Sequence, residues 1–204
     1  MFQAHGICKS YHRRPVLRDI GFCLPSGHCL GVTGENGSGK TTLLSILAQT
    51  LTPDAGDITY HGQSVLGDRQ FLRRQLGYVP QSGDLLPELT GRETLALWSR
   101  ACGGEEPLPR QIAELLGIGE LLPVRAGEMS GGMAKRLSIA MALSTGPEIL
   151  IMDEATSGLD KRYREALLCY LQEDFLKKGG RMVWCSHHPE ELSRLCGSIL
   201  PLGE

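Results

Sequence analysis

Residues 34 to 42 read GENGSGKTT, and from Gly34 to Thr41 they match the spacing G-x-x-x-x-G-K-[ST] in full. Glycines at this density let successive backbone N–H groups curl around phosphate oxygens with no Cβ in the way. A helix opening at the same place adds the partial positive charge of its N-terminus. The cradle would comprise Gly34, Glu35, Asn36, Gly37, Ser38, Gly39, Lys40, Thr41 and Thr42. Lys40 can reach β- and γ-phosphates, and the Thr41 hydroxyl can ligate Mg²⁺. The flanks suit the motif, with a strand expected to end at Thr33 and a helix expected from Lys40.

Two further segments carry chemistry. ILIMDE places Asp153 and Glu154 at the carboxyl end of an apolar strand, where ligands bind in open α/β sheets. Neighbouring residues on a strand point opposite ways, so the two carboxylates can take different tasks. Asp153 suits Mg²⁺; Glu154, where the strand breaks, can orient an attacking water and accept its proton. WCSHHPEEL repeats the geometry, and His187 there can hydrogen-bond a γ-phosphate oxygen. His188, before Pro189, reads as a capping or surface residue. Two adjacent histidines with no third ligand nearby are poor evidence for a metal site. Reading guanine through an N-K-x-D segment is excluded, because the single asparagine is Asn36, inside the loop. Adenine is then the default base. Tyr11, in the front of the chain, is either a plain strand aromatic or a ring on which adenine stacks.

The segment MSGGM leaves two readings. Ser130 can simply cap the helix that follows, or Ser130, Gly131 and Gly132 can form a second anion seat. Taken in order, Tyr11, GENGSGKTT, Gln81 in YVPQS, MSGGM, ILIMDE, SGLD with Asp160, and His187 in SHHPEE resemble the nucleotide-binding domains of the ABC family. The resemblance runs along essentially the whole chain. It implies an ATPase with ATP and Mg²⁺, in which Tyr11 stacks on adenine and Thr41, Gln81 and Asp153 hold the metal. Lys40, Glu154 and His187 would carry the hydrolysis. It also implies a second ATP-binding subunit, so that Ser130, Gly131, Gly132 and Asp160 of one copy complete the ATP site of the other. A polytopic permease on a separate polypeptide is the further partner, with Leu85, Leu86 and Leu89 in the stretch that would receive it. Short chains of this type resemble the ATPases of bacterial exporters. Two signature positions depart from the L-S-G-G-Q pattern, as Met129 and Met133, and the second puts the strength of the cross-subunit contact in question. A soluble ABC ATPase acting on ribosomes or nucleic acid, and a nucleotide-bound regulator without turnover, are the competing readings.

The elements that must position these residues follow from periodicity. The front alternates around Phe2, Ala4 and Ile7, with a turn at Pro25–Gly27, and suggests short antiparallel strands up to HCLGVT. KTTLLSILAQTL puts Leu43, Ile46, Leu47 and Thr50 on one helical face, PDAG is turn chemistry, and GDITYHGQ reads as a hairpin. Residues 85–143 have a helical texture broken by Gly and Pro. EILIM and RMVWC are buried strands, separated by an amphipathic helix that turns Tyr163, Leu167, Tyr170, Leu171 and Phe175 inward and stops at Gly179–Gly180. The fold class expected is α/β: a P-loop NTPase core with a mostly parallel sheet, an N-terminal antiparallel β subdomain and an inserted helical subdomain, as one domain over 1–204.

Bulk properties agree. The chain has 204 residues, with 21 Lys plus Arg against 23 Asp plus Glu, so no broad basic face for nucleic acid is expected. No apolar run approaches the roughly 18 residues that span a bilayer, and the N-terminus is not a signal peptide. A cytoplasmic chain, peripheral on the inner membrane face through a permease, is the expectation. The seven cysteines are odd in number and form no C-x-x-C pair, which suits reduced thiols.

Overall fold

The computed structural model describes residues 1–82, 85–102 and 108–203. Strands β1 (Phe2–Tyr11) and β2 (Arg14–Leu24) pair antiparallel. With β4 (Ala55–Tyr60) and β5 (Gln63–Ser64) they form a four-stranded sheet in the order β2-β1-β4-β5. Phe2 and Ala4 face the core, but so does Ile7, out of step with them. The reason is a bulge between Ala4 and Ile7, where Gly6 takes φ 62 and resets the two-residue alternation. The expected hairpin at GDITYHGQ is β4–β5, turning at His61 and Gly62.

The second sheet is parallel throughout, in the order β6 (Leu76–Val79), β7 (Ile149–Asp153), β8 (Arg181–Cys185), β3 (Cys29–Thr33), β9 (Ser198–Pro201). HCLGVT therefore does not extend the antiparallel front, as its position after β2 suggested. Residues Cys29 to Val32 are buried, with β8 on one side and β9 on the other. Strand alternation divides the core into two clusters. Ile149 and Ile151 join Val32, Val183 and α1 (Lys40–Leu47) below the front sheet. Leu150, Met152 and Trp184 join α5 (Gly131–Ser144) and α6 (Lys161–Tyr170) on the other face. Each large side chain so buried contributes roughly 1.5–3 kcal/mol, enough in sum to pin the register of every strand that ends at the site.

Some helical expectations are corrected. Thr50 does not share the inward face of α1: the helix ends at Leu47 and Thr50 is exposed beyond it, while Leu44 is buried instead. The helix after β7 is α-helical to Tyr170 and then widens to a π-helical stretch, Leu171–Leu176, which brings Leu171, Phe175 and Leu176 to the core. Gly179 (φ 96) ends it, and a Cβ on Gly180 would lie 2.6 Å from the Phe175 ring. Tyr163 is only half-buried and meets Arg136, whose guanidinium lies 4.2 Å from its ring centre. Short α2 (Arg69–Gln75) precedes β6, capped by Asp68, which accepts from the N–H groups of Gln70 and Phe71. The middle of the chain is helical as expected: α3 (Gly91–Cys102), α4 (Arg110–Leu115) and α5. Thr90 and Glu93 form a reciprocal capping box at the start of α3. The last helix, α7 (Pro189–Leu195), leads into β9. Among the described residues no helix is long and apolar enough to cross a membrane.

Candidate active site at the carboxyl ends of the parallel strands

Strands β3, β7 and β8 end side by side, and the loops leaving them carry the glycine-rich segment, the acid pair and the histidines. Between them opens a cleft of about 330 Å³ lined by Tyr11, Val16, Asn36, Gly37, Gly39, Lys40, Thr41, Thr42, Gln81, Asp153, Glu154, Cys185 and His187. Segments more than 170 residues apart, from Tyr11 to His187, thus meet in one place.

The loop depends on its glycines. Gly34, Gly37 and Gly39 have φ of 146, 86 and 98. A Cβ on Gly39 would lie 2.8 Å from Val16 Cγ1, and one on Gly34 would lie 2.5 Å from the Leu202 carbonyl oxygen. Lys40 folds its ammonium back onto the loop and donates to the carbonyls of Gly34 and Glu35, both at 2.8 Å. Gly34, Glu35 and Ser38 do not line the cleft, and Gly34 and Glu35 are exposed to solvent.

Asp153 is 1% exposed, and its Oδ2 has no hydrogen-bond partner. A buried carboxylate oxygen left without a donor is costly unless a cation or water takes it. With Thr41 and Gln81 lining the same cleft, the donor set is all oxygen, which fits Mg²⁺ and its retained waters. Among the described residues no group of three His, Cys, Asp or Glu gathers as a metal site.

Glu154 turns out of β7 with φ 50, a conformation costing a non-glycine residue about 1–3 kcal/mol. The turn is held by the Glu154 N–H donating to the Cys185 carbonyl at 2.9 Å. It aims the carboxylate across to the neighbouring loop. Glu154 Oε2 accepts from the His187 N–H at 3.2 Å, and Oε1 stands 3.4 Å from His187 Nε2. Cys185 Sγ lies 3.7 Å from the same Oε1, and burial together with the charges of Asp153 and Glu154 pushes its thiol up to about 12.

The second seat is built differently. Ser130 caps α5, its Oγ accepting from the Met133 N–H at 3.3 Å. A Cβ on Gly132 would lie 2.5 Å from the Gly158 carbonyl oxygen, while one on Gly131 would meet nothing within 4 Å. Asp160 precedes α6 with no side-chain cap bond. None of Ser130, Gly131, Gly132 and Asp160 lines the cleft of its own chain. Met129 and Met133 pack partly against the core.

Lys135 escaped the sequence reading. It is 5% exposed on α5, and it donates to the carbonyls of Pro80 at 2.9 Å and Gln81 at 2.8 Å. Burial holds its ammonium below the usual lysine value, opposed by the charges of Asp153 and Glu154. One ion thus fastens the loop bearing Gln81 to the helix bearing Ser130. Val16 and Cys185 are also cleft-lining residues that no motif marks.

A parallel sheet with a glycine-rich anion loop after one strand and an acid pair after another defines a nucleotide-binding domain of the P-loop NTPase fold. The sequence model of the ABC transporter family matches residues 17–157, and the chain belongs to that family. It is 36% identical over 201 residues to the Nod factor export ATP-binding protein I of Rhizobium sp. (strain N33), covering 97% of this chain and 66% of that protein. With the linearmycin resistance ATP-binding protein LnrL of Bacillus subtilis (strain 168) it shares 34% identity over 203 residues, 98% of this chain and 65% of the other. The chain therefore spans just under two thirds of these relatives. Among solved structures it superimposes on an ATP-binding subunit of an ABC transporter with TM-score 0.89 and 28% identity, covering 99% of this chain and 85% of that one. An ATP-binding cassette described as a post-hydrolysis dimer with ADP and Pi shares the fold, at TM-score 0.84 and 23% identity, covering 99% and 94%.

Proposed function

We propose that the chain is the ATP-hydrolysing subunit of an ABC transporter, and that two copies, or one copy and a paralogue, close around ATP. The observation that carries this reading is the division of the anion seats. The phosphate loop, Asp153, Glu154 and His187 share one cleft, whereas Ser130, Gly131, Gly132 and Asp160 stand outside it. A family signature that does not line its own cleft is suited to a partner's, and an isologous pair would complete two sites by symmetry.

In each site Mg²⁺, held by Thr41, Asp153 and Gln81, would neutralise phosphate charge. Lys40 leaves its loop carbonyls for the β- and γ-phosphates. Tyr11 offers its ring to adenine. Glu154 orients water in line with the γ-phosphate and takes its proton, and His187 donates to the γ-phosphate oxygen from beside Glu154. ATP then favours the closed pair and hydrolysis removes that preference. Sedimentation of Glu154→Gln tests the sandwich: a dimer with Mg-ATP and a monomer with ADP support it, and a monomer in both rejects it.

The transport reading, with export as its direction, is supported by the similarity to the Nod factor export and linearmycin resistance ATP-binding proteins above. Leu86, 54% exposed after the Gln81 segment, and Leu97, 51% exposed on α3, offer apolar surface to a permease, which would hold the chain at the inner membrane face. Leu85 and Leu89 are half-buried. Isolating the tagged chain from detergent-solubilised native membranes tests this. A polytopic protein in near-equal amount supports transport, whereas ribosomes or nucleic acid would favour the soluble ABC ATPase.

A further inference from the structure

Glu191 lies on α7, outside the cleft and with no role read for it in the SHHPEE segment, yet its side chain has no exposure at all. A buried carboxylate is stable only when its oxygens are well met. Oε1 accepts from Arg164 Nε at 2.7 Å, and Oε2 accepts from Thr156 Oγ1 at 2.9 Å and from Ser186 Oγ at 2.5 Å. The Ser186 hydroxyl in turn accepts from the His188 N–H at 3.0 Å. Arg164 is itself steadied by Glu190 Oε1, at 2.9 Å from Nη2.

These donors are not scattered. Thr156 stands two residues beyond Glu154 on the loop leaving β7, and Ser186 is the residue immediately before His187 on the loop leaving β8. Arg164 sits in the first turn of α6, the helix that follows the loop bearing Glu154 and Thr156. A single carboxylate thus ties together, through one oxygen, the two loops whose side chains meet at the 3.4 Å contact between Glu154 and His187. Glu154 needs such support, since its φ of 50 persists only when its surroundings over-determine it.

We propose that Glu191, charge-paired with Arg164, is a positioning residue for ATP hydrolysis: it clamps the Thr156 and Ser186 hydroxyls and thereby sets the distance between Glu154 and His187. It touches neither nucleotide nor metal. The inference rests on the proposed roles of Glu154 and His187. Its signature is a loss of kcat with KM for ATP unchanged, because the phosphate loop and Tyr11 belong to other elements.

The test compares kcat and KM for ATP in Glu191→Gln, Thr156→Val, Thr156→Ser and the Glu191→Gln/Thr156→Val pair, each normalised to folded protein by its melting curve, with Glu154→Gln alongside. Small displacements of catalytic groups cost up to about 100-fold, so a fall in kcat of about 10-fold is expected for Glu191→Gln and Thr156→Val, with KM within about 2-fold. Thr156→Ser, which keeps the hydroxyl, recovers most of the rate, and the double variant is no slower than Glu191→Gln alone. Wild-type kcat in folded Glu191→Gln or Thr156→Val, or losses that multiply in the pair, overturns the clamp. If Glu191→Gln does not fold, the Thr156 pair of variants decides by itself. Full turnover in Glu154→Gln would overturn the reading of Glu154 beneath it, whereas an inactive Glu154→Gln beside normal Thr156→Val would overturn only the clamp.

Discussion

Glu154 Oε1 and His187 Nε2 stand 3.4 Å apart, although the two residues leave different strands, β7 and β8. The contact is fixed on both sides by backbone: the Glu154 N–H bonds the Cys185 carbonyl, and the His187 N–H bonds Glu154 Oε2. His187 is 61% exposed on its side chain while Glu154 is 6% exposed, so the imidazole faces outward into the cleft mouth and the carboxylate faces its floor. In the roles proposed for them, a base at the floor and a donor at the mouth would bracket the place of a terminal phosphate.

From this pairing His187→Ala is expected to keep ATP binding and lose about 100-fold in turnover, the usual cost of removing one aimed donor. Single-turnover hydrolysis with a nucleotide-binding titration on the same protein checks it. A proportionate loss of binding would instead place His187 in ground-state affinity.

The conformation of Gly39 makes a second prediction. Its φ of 98 disfavours any side chain, and a Cβ would press within 2.8 Å of Val16 Cγ1. Gly39→Ala should cost about 1–2 kcal/mol and lower the melting temperature by roughly 2–8 °C. Because Lys40 follows directly, ATP affinity should fall with it. Calorimetry for stability and a fluorescent-nucleotide titration for affinity measure both.

Met133 supports a third. Its N–H is taken by the Ser130 cap and its side chain packs partly on the core, so the signature ends without the amide of the family pattern. Met133→Gln should tighten ATP-dependent pairing by roughly 2- to 10-fold, the worth of one net hydrogen bond. Sedimentation of Met133→Gln in the Glu154→Gln background reads this directly, and unchanged pairing would remove the idea that the native contact is weakened.

Alkaline pH supplies a fourth. Burial, with Asp153 and Glu154 adding to it, raises the Cys185 thiol from an ordinary value of 9.0 to about 12. The folded state disfavours the thiolate, so the stability contributed by the protonated thiol is complete below about 9 and is lost as pH climbs towards about 12. Tyr60, raised to about 12 by burial and by its bond to Glu148, loses stability at the high end of the same range. Cys185→Val should therefore flatten, without abolishing, the decline of the urea midpoint between pH 8 and pH 10.5. Superimposable pH curves would contradict it.

The phosphate loop and the acid pair were legible because each is a contiguous run whose residue types and spacing state its chemistry. The parallel strands were legible where they are short apolar runs, as with Ile149–Asp153. The place of β3 was not: a strand following a hairpin gives no local sign that its neighbours will be β8 and β9. Thr50 was misplaced because nothing in a periodic pattern marks a helix that stops at Leu47. Lys135 and Glu191 were illegible for a plainer reason. Lysine on a helix and glutamate after a proline look like solvated charges until the fold brings them carbonyls 54 and 55 residues away and a hydroxyl 35 residues away.

Glu154 is proposed to drive ATP hydrolysis in a cleft whose phosphate seat works without it. Phosphate release and nucleotide binding, measured together on the wild-type chain and on Glu154→Gln, test it most directly. Turnover by the wild type, a loss of about 10²- to 10⁴-fold in the variant and ATP binding retained in both are expected. Equal phosphate release from the two proteins would contradict it.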